Sequence, residues 1–284
     1  MASPLVSCTE LEAHLADPSW LVLDCQHDLM NHAFGRESYA REHIPGAHFV
    51  SMEDDMAGRK TGTNGRHPLP AVADLEALFS RLGVTSGTQV VCYDSANNNY
   101  AGRVWWTLRW LGHDHVAVLD GGLGKWRADA RPTTANPPAA RPASQFVARL
   151  RDGMRVEVST LVENLGSRSL TVLDARTAER YAGLAEPIDP VAGHIPGALS
   201  RPWQQNILPD GTYKSAAVLA AEYRALLGST PASSLVHQCG SGVSACQNLV
   251  AMEIAGLAGS RLYIGSWSEW CADPSRPVAT GPNP

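Results

Sequence analysis

The 284-residue chain has no pair of cysteines spaced two apart, no block of like charge and no apolar run long enough to cross a bilayer. Its six cysteines, Cys8, Cys25, Cys92, Cys239, Cys246 and Cys271, stand singly. Neither a zinc cage nor a disulfide framework is therefore expected, and a reducing, cytoplasmic setting is. Charged residues make up only 18%, with Lys+Arg 23 against Asp+Glu 28 and a net charge of -5. A partner rich in phosphate, whether nucleic acid or an anionic membrane, is not expected to bind such a chain. No stretch approaches ~18 uninterrupted apolar residues. The first residues carry neither a basic-then-apolar leader nor an Arg-rich amphipathic pattern, so secretion and membrane insertion are both unsupported. Gly 25 and Pro 19 are too few for a fibrous or disordered chain, and 44% hydrophobic residues suffice for a core. At ~150 residues per domain, two domains are the prior.

What is present is a repeat. Four segments recur in the same order in the two halves. Leu21–Asp24, LVLD, answers Thr171–Asp174, TVLD. HIPGA occurs identically at His43–Ala47 and at His194–Ala198. VVCYD, ending at Asp94, answers LVHQC, ending at Cys239. LDGGLGKW, ending at Trp126, answers YIGSWSEW, ending at Trp270, at nearly the same distance beyond the third marker. A duplicated domain follows. Between the copies, Pro132–Gln145 holds four prolines among small residues and reads as an extended linker, giving domains over 1–131 and 146–284.

Each copy alternates short apolar runs with helical stretches, the pattern of βα units on a parallel sheet flanked by helices, an α/β fold. In DLEALFSRLG, Leu75, Leu78, Phe79 and Leu82 share a helical face and Gly83 stands where the helix should stop. Leu219, Tyr223, Leu226 and Gly228 answer in the second copy. Helices ending at Gly112 and Gly256 are expected after the third markers. Trp105, Trp106 and Trp110 crowd the first of these and are expected to pack in the core.

Chemistry concentrates in one loop. SLVHQCGSGVSACQNLV reads as an apolar strand, a turn from Cys239 to Ser244, and a helix. Gly240 and Gly242 allow the backbone to curl until its N–H groups point inward, an anion nest backed by a helix N-terminus. A thiol at its head should react as thiolate. Ser244 at the expected N-cap position can donate to sulfur or cap the helix. The plainer alternative is a buried strand-end thiol beside an ordinary glycine turn. Cys246 is expected to be a buried thiol, and His113 and His115 gather no further ligands, so no metal site is expected.

The duplicated HIPGA pattern, the CGSGVSA loop and the closing GSWSEW resemble the two-domain rhodanese-type sulfurtransferases over essentially the whole chain. The resemblance implies tandem rhodanese-like domains, the second catalytic and the first, with Asp94 in place of Cys239, not. It implies that Cys239 takes a sulfane sulfur from a donor, becomes a persulfide, and passes the sulfur to cyanide or to a thiol such as thioredoxin or glutathione. No cofactor is implied.

It also implies a donor. CGSGVS carries no loop charge and is similar to the CGSGVT of 3-mercaptopyruvate enzymes, whereas thiosulfate enzymes tend to carry basic residues there. On this likeness Gly240, Gly242 and Val243 line the donor, Arg180 binds its anionic end, and Arg176 stands nearby. A second arginine of many mercaptopyruvate enzymes has no match in EPIDPVAGHIPGA, where Arg201 is the possible substitute. Ser241 and His43 match a serine and histidine of that group that move a proton, with Glu37 only roughly in the place of their acid. A shared turn or capping role explains His43 equally, because it recurs as His194. The alternative donor is thiosulfate. A cysteine-loop phosphatase is a remote alternative, since it needs an arginine where Ala245 stands; so is a non-catalytic rhodanese-fold binding protein.

Overall fold

The apolar runs become two parallel five-stranded sheets. In the first half the elements are β1 (Leu5–Val6), α1 (Cys8–Ala13), β2 (Trp20–Asp24), α2 (Phe34–Arg41), β3 (His48–Phe49), α3 (Val72–Arg81), β4 (Gln89–Tyr93), α4 (Asn99–Trp110), β5 (Val116–Leu119) and α5 (Gly122–Ala128). In the second they are β6 (Arg155–Val156), α6 (Val158–Ser167), β7 (Thr171–Asp174), α7 (Ala178–Tyr181), β8 (Leu199–Ser200), α8 (Ala216–Leu227), β9 (Leu235–Gln238), α9 (Ala245–Ile254), β10 (Arg261–Tyr263) and α10 (Ser266–Trp270). The sheet orders, β1-β5-β4-β2-β3 and β6-β10-β9-β7-β8, are the same order twice. This computed structural model describes residues 3–284.

Helices form where the 3.6-residue period puts apolar side chains on one face. In α3, Leu75, Leu78 and Phe79 are buried, each worth roughly 1.5–3 kcal/mol, and Gly83 at φ +72 ends the turn. In α8, Leu219 and Tyr223 face inward as expected, but Leu227 rather than Leu226 completes the stripe. The tryptophans of α4 are buried, with Trp106 and Trp110 stacked at 6.0 Å. Val22, Val91 and Leu119 pack against Leu11, Leu123 and Trp126 in one core, and Val172, Val236 and Tyr263 against Leu161, Trp267 and Trp270 in the other.

The compact units differ from the expected domains. Unit 1 holds the described residues up to Gly58, Pro70–Arg151 and Leu208–Tyr213; unit 2 holds Arg59–Leu69, Asp152–Ile207 and Lys214–Pro284. The boundary expected at residue 146 falls at 152 because Phe146 packs on Phe79 at 5.6 Å and Arg149 and Arg151 donate to Leu111 O and Trp110 O. The expected linker is a strap of unit 1: Pro132 O accepts from Trp126 Nε1, and Thr134 pairs with His43 through both backbone groups. Unit 2 repeats the device, with Pro277 O on Trp270 Nε1 and Ala279 paired with His194.

HIPGA serves that strap in both copies. His43 Nδ1 lies 2.7 Å from Tyr39 O and Nε2 3.0 Å from Asn136 O, with its ring stacked on Tyr39. His194 Nδ1 lies 2.8 Å from Tyr181 O and stacks on Tyr181. Each tyrosine in turn donates to the alanine that closes the motif, Ala47 or Ala198.

The strand-end aspartates part company. Asp174 is paired with Arg176, whereas Asp24, fully buried, accepts only neutral donors: Tyr93 Oη at 2.6 Å, Gln26 Nε2 at 3.0 Å and Gln26 N at 2.9 Å. Burial, only partly offset by the Tyr93 and Gln26 bonds, pushes its carboxyl from 3.8 to about 6. The folded state thus prefers the acid form, so Asp24 favours folding fully below pH ~4 and loses that contribution as pH rises through ~6. Asp24→Asn should therefore stabilise unit 1 by roughly 1–3 kcal/mol at pH 7.5 and by almost nothing at pH 4. Urea denaturation at the two pH values checks this, and an equal effect at both would refute it.

Candidate active site

β9 ends at Gln238, and the chain turns through Cys239-Gly240-Ser241-Gly242-Val243-Ser244 into α9. Three bonds fix the start of the turn. Ser266 Oγ accepts from Cys239 N at 3.2 Å, while the Cys239 and Gly240 carbonyls accept from Trp267 N at 3.0 Å and Ser268 N at 2.9 Å. Ser266 sits at φ +54, which a serine rarely adopts, and its hydroxyl holds it there by also donating to Tyr263 O at 2.8 Å. Gly242 is required on two counts: φ is +71, and a Cβ would lie 2.3 Å from Ile264 O. The Cys239 thiol thus heads a pinned turn and is 1% exposed.

The other copy shows what such a turn does with its amides. Asp94, in the place of Cys239, accepts four backbone N–H groups at 2.7–2.9 Å: Ala96 and Asn98 on Oδ1, Tyr100 and Ala101 on Oδ2. The strand-to-helix loop of unit 1 is a nest closed around its own carboxylate. In unit 2 the residue at its head is a thiol.

Two segments bring polar groups to that thiol's loop. From Arg59–Leu69 comes His67, whose Nδ1 lies 2.8 Å from Ser241 Oγ. Arg66 comes with it, its N–H donating to Ser268 Oγ at 3.0 Å. From α7 comes Arg180. A Cβ built on Gly240 would lie 2.7 Å from Arg66 Nη2 and 3.4 and 3.5 Å from Arg180 Nη2 and Nη1, so both guanidiniums border the residue next to Cys239.

Carboxylates hold both cations. Asp189 binds Arg66 through Oδ1 and Arg180 Nη2 through Oδ2, the latter at 3.2 Å; Glu186 Oε1 binds Arg180 Nη2 at 2.6 Å and Nε at 3.1 Å. Burial tends to raise the Glu186 carboxyl, but donors from Arg180 and the Asp189 and Ile188 amides hold it below its ordinary value. At Asp189 burial wins and its carboxyl is raised despite Arg66 and Arg180. Arg66 Nε is buried with no acceptor, and neither Arg66 Nη2 nor Arg180 Nη1 is bonded to a protein acceptor, so unused donors remain on both guanidiniums.

Other expected residues lie elsewhere or are otherwise engaged. His43 is engaged in unit 1 as described above; the histidine on Ser241 is His67. Glu37 is an exposed residue of α2. Every nitrogen of Arg176 is engaged, Nε and Nη2 with Asp174, Nη1 with Glu186 and Nη2 also with Gly193 O, and the group is stacked 4.6 Å from the Trp267 ring, so it braces the site from within. Arg201 is tied to Glu222 and Asn206 beneath the Tyr223 ring. Ser244 is the N-cap residue but makes no side-chain cap bond, because its backbone is already helical at φ −67, ψ −18. The Cys246 thiol donates to Gly242 O at 3.4 Å and steadies the turn. Val243 is buried and its carbonyl accepts from Cys246 N. His237 sits within β9, where burial pushes it down to about 3 and keeps it neutral.

Sequence reasoning missed Arg66 and His67. Their one signal was GRHPLP, a charged segment without periodicity between two regular elements, and nothing in its spacing says which unit it joins.

Comparison with known proteins agrees with this geometry. The model of the rhodanese-like domain matches twice, over residues 7–129 and 157–273. The chain is 43% identical over 282 residues to a probable 3-mercaptopyruvate sulfurtransferase of Pseudomonas aeruginosa, covering 99% of each chain. It is 33% identical to the thiosulfate sulfurtransferase of Rattus norvegicus, over 93% of this chain and 90% of that one. Among solved structures it is similar to an Escherichia coli protein described as a 3-mercaptopyruvate sulfotransferase, with TM-score 0.80, 26% identity and coverage of 94% and 99%.

The pinned turn makes a prediction independent of chemistry. Gly242→Ala should destabilise unit 2 by about 2–4 kcal/mol, since both the left-handed backbone and the Ile264 carbonyl oppose a methyl group. Gly124→Ala, where a Cβ meets nothing within 4 Å, is the control and should be neutral or stabilising in the same melting experiment.

Proposed function

The chain belongs to the rhodanese-like family and is a sulfurtransferase; from that premise we propose that it takes sulfur from 3-mercaptopyruvate onto Cys239 and delivers it to a thiol or cyanide. The observation that carries this reading is the pair of guanidiniums, Arg66 and Arg180, bordering Gly240 with unused N–H donors beside a thiol at the head of a strand-to-helix turn. A carboxylate bound there places the donor's sulfur over Cys239.

The Cys239 thiolate attacks the donor's sulfur. A sulfur–sulfur bond forms, the carbon–sulfur bond breaks, and its electron pair leaves on carbon as the enolate of pyruvate. That carbon takes up a proton, and the Ser241 hydroxyl, in contact with His67 Nδ1, is the group suited to relay it. Amides of the turn, in the role their equivalents play at Asp94 in unit 1, where four N–H groups bond the carboxylate, would favour a persulfide anion on Cys239. An acceptor thiolate or cyanide then attacks the outer sulfur, and the Cys239 thiolate leaves.

Small sulfur donors and acceptors are the substrates; thioredoxin or glutathione is the acceptor proposed here. All six cysteines are buried, and a reducing cytoplasm is the compartment proposed here. Among the described residues no helix is long and apolar enough to cross a membrane. Thiosulfate is the competing donor, favoured by the names of several relatives.

Mass spectrometry after donor treatment should find one added sulfur atom on the Cys239 peptide and none on Cys25, Cys92 or Cys246. Cys239→Ser should abolish transfer. A charge-assisted bond to the donor is worth roughly 1.5–3 kcal/mol, so Arg180→Ala and Arg66→Ala should each lower kcat/KM about 10- to 150-fold, mainly through KM. His67→Ala should instead lower kcat for 3-mercaptopyruvate by about 100-fold, with thiosulfate turnover less affected because sulfite leaves without needing a proton. Equal losses with both donors would remove His67 from proton transfer.

A further inference from the structure

The ion pairs that reach Gly240 link three arginines with three carboxylates. Arg66, Arg176 and Arg180 face Asp174, Glu186 and Asp189 in a continuous chain of contacts. Asp174 and Glu186 serve to anchor Arg176 and to hold Arg180 from the side. Asp189 differs. It is shared by the two guanidiniums that border Gly240, one carboxylate oxygen on each. Its side chain is only 3% exposed, so water screens it little. The turn that presents it is fixed, because Glu186 Oε1 accepts from both Ile188 N at 3.2 Å and Asp189 N at 3.1 Å.

Resting on the reading that Arg66 and Arg180 receive the donor's anionic end, we propose that Asp189 is a specificity-determining residue: it neutralises the pair just enough that a monoanionic carboxylate donor is accepted and a dianionic one is disfavoured. A carboxylate brings one negative charge to the unused donors on Arg66 and Arg180. A dianion such as thiosulfate brings a second, which must lie close to the Asp189 carboxylate with no further cation in the cluster to meet it. Repulsion between unit charges ~5 Å apart in a partly wet protein site is worth on the order of ten-fold or more in binding. The selection acts by repelling the wrong donor rather than by adding a contact to the right one. It needs no basic residue in the Cys239 turn, and that turn has none.

The test compares kcat/KM for 3-mercaptopyruvate and thiosulfate at fixed ionic strength in the full-length protein and in Asp189→Asn and Asp189→Glu. The Asn variant should raise the thiosulfate-to-mercaptopyruvate ratio about ten-fold, through a lower KM for thiosulfate, while the Glu variant, which keeps the charge, leaves the ratio within about two-fold. A folded Asn variant with an unchanged ratio overturns the proposal, even if both rates fall, because that is the behaviour of a mere anchor for Arg66. Arg180→Ala measured alongside separates the two ideas: wild-type kinetics there refute the donor-binding reading itself. Should Asp189→Asn fail to fold, inhibition of the unmodified protein decides. Sulfate should compete with 3-mercaptopyruvate no more tightly than acetate does at matched ionic strength, and sulfate binding about ten-fold more tightly than acetate overturns the proposal.

Discussion

A backbone that turns sharply from a parallel strand into a helix leaves several amides pointing at one spot, and something must accept them. That constraint shapes both halves of this protein. In unit 1 the loop supplies its own acceptor: the Asp94 carboxylate takes four N–H bonds and is buried doing so. In unit 2 the same position holds Cys239, whose sulfur is the one that the proposed reading charges, first as thiolate and then as persulfide. Replacing one carboxylate by one thiol turns a self-satisfied structural element into a place where chemistry can begin. The surroundings follow from keeping that turn still. Ser266 accepts strain to hold the Cys239 amide, Gly242 yields space to Ile264, and Cys246 ties the far side to Gly242.

Around the turn, charge is arranged in alternation so that no buried ion stands alone. Arg176 lies deepest, between Asp174 and Glu186 and against the face of Trp267. Arg180 and Arg66 lie nearer solvent and share Asp189. Only the outer two have a nitrogen with no acceptor, so the same chain of ion pairs that makes burial tolerable also grades the arginines into one that braces and two that the proposed reading assigns to the donor. Arg180 and Arg176 stand on neighbouring turns of sequence and resemble each other in type, yet the depth of burial gives them different work.

Duplication separates what the fold requires from what the reaction requires. Features found in both copies belong to the fold: the sheet order, the HIPGA histidine stacked on a tyrosine and bonded to its carbonyl, and the strap beyond the last helix. Features found in one copy belong to chemistry or to local balance. Asp24 and Asp174 occupy equivalent strand ends, but only Asp174 has an arginine, so only Asp24 is pushed toward its acid form. His43 falls in the first class, which its recurrence as His194 already suggested. His67, on a segment that lacks a matching sequence in the other copy, falls in the second.

The amino-acid sequence alone determined the parts of this protein that depend on neighbours along the chain. Alternating apolar runs and helical periods gave two α/β copies, Leu75, Leu78 and Phe79 marked a buried face, and Gly240 and Gly242 after a strand marked the turn that carries Cys239. Tertiary structure decided what depends on distant segments meeting. The unit boundary moved to Arg151 because Phe146 finds an apolar partner in Phe79, some seventy residues away. The histidine at Ser241 is His67 rather than His43, and the second cation at Gly240 is Arg66 rather than Arg201 or Arg176, because Arg59–Leu69 joins the unit built by the other half. Periodicity and motif spacing record which face a side chain shows to its own element; they carry no record of which loop will fold over a site. That record is written only in the packing and ion pairs, here Ser268, Asp189 and Ser241, that receive the loop when it arrives.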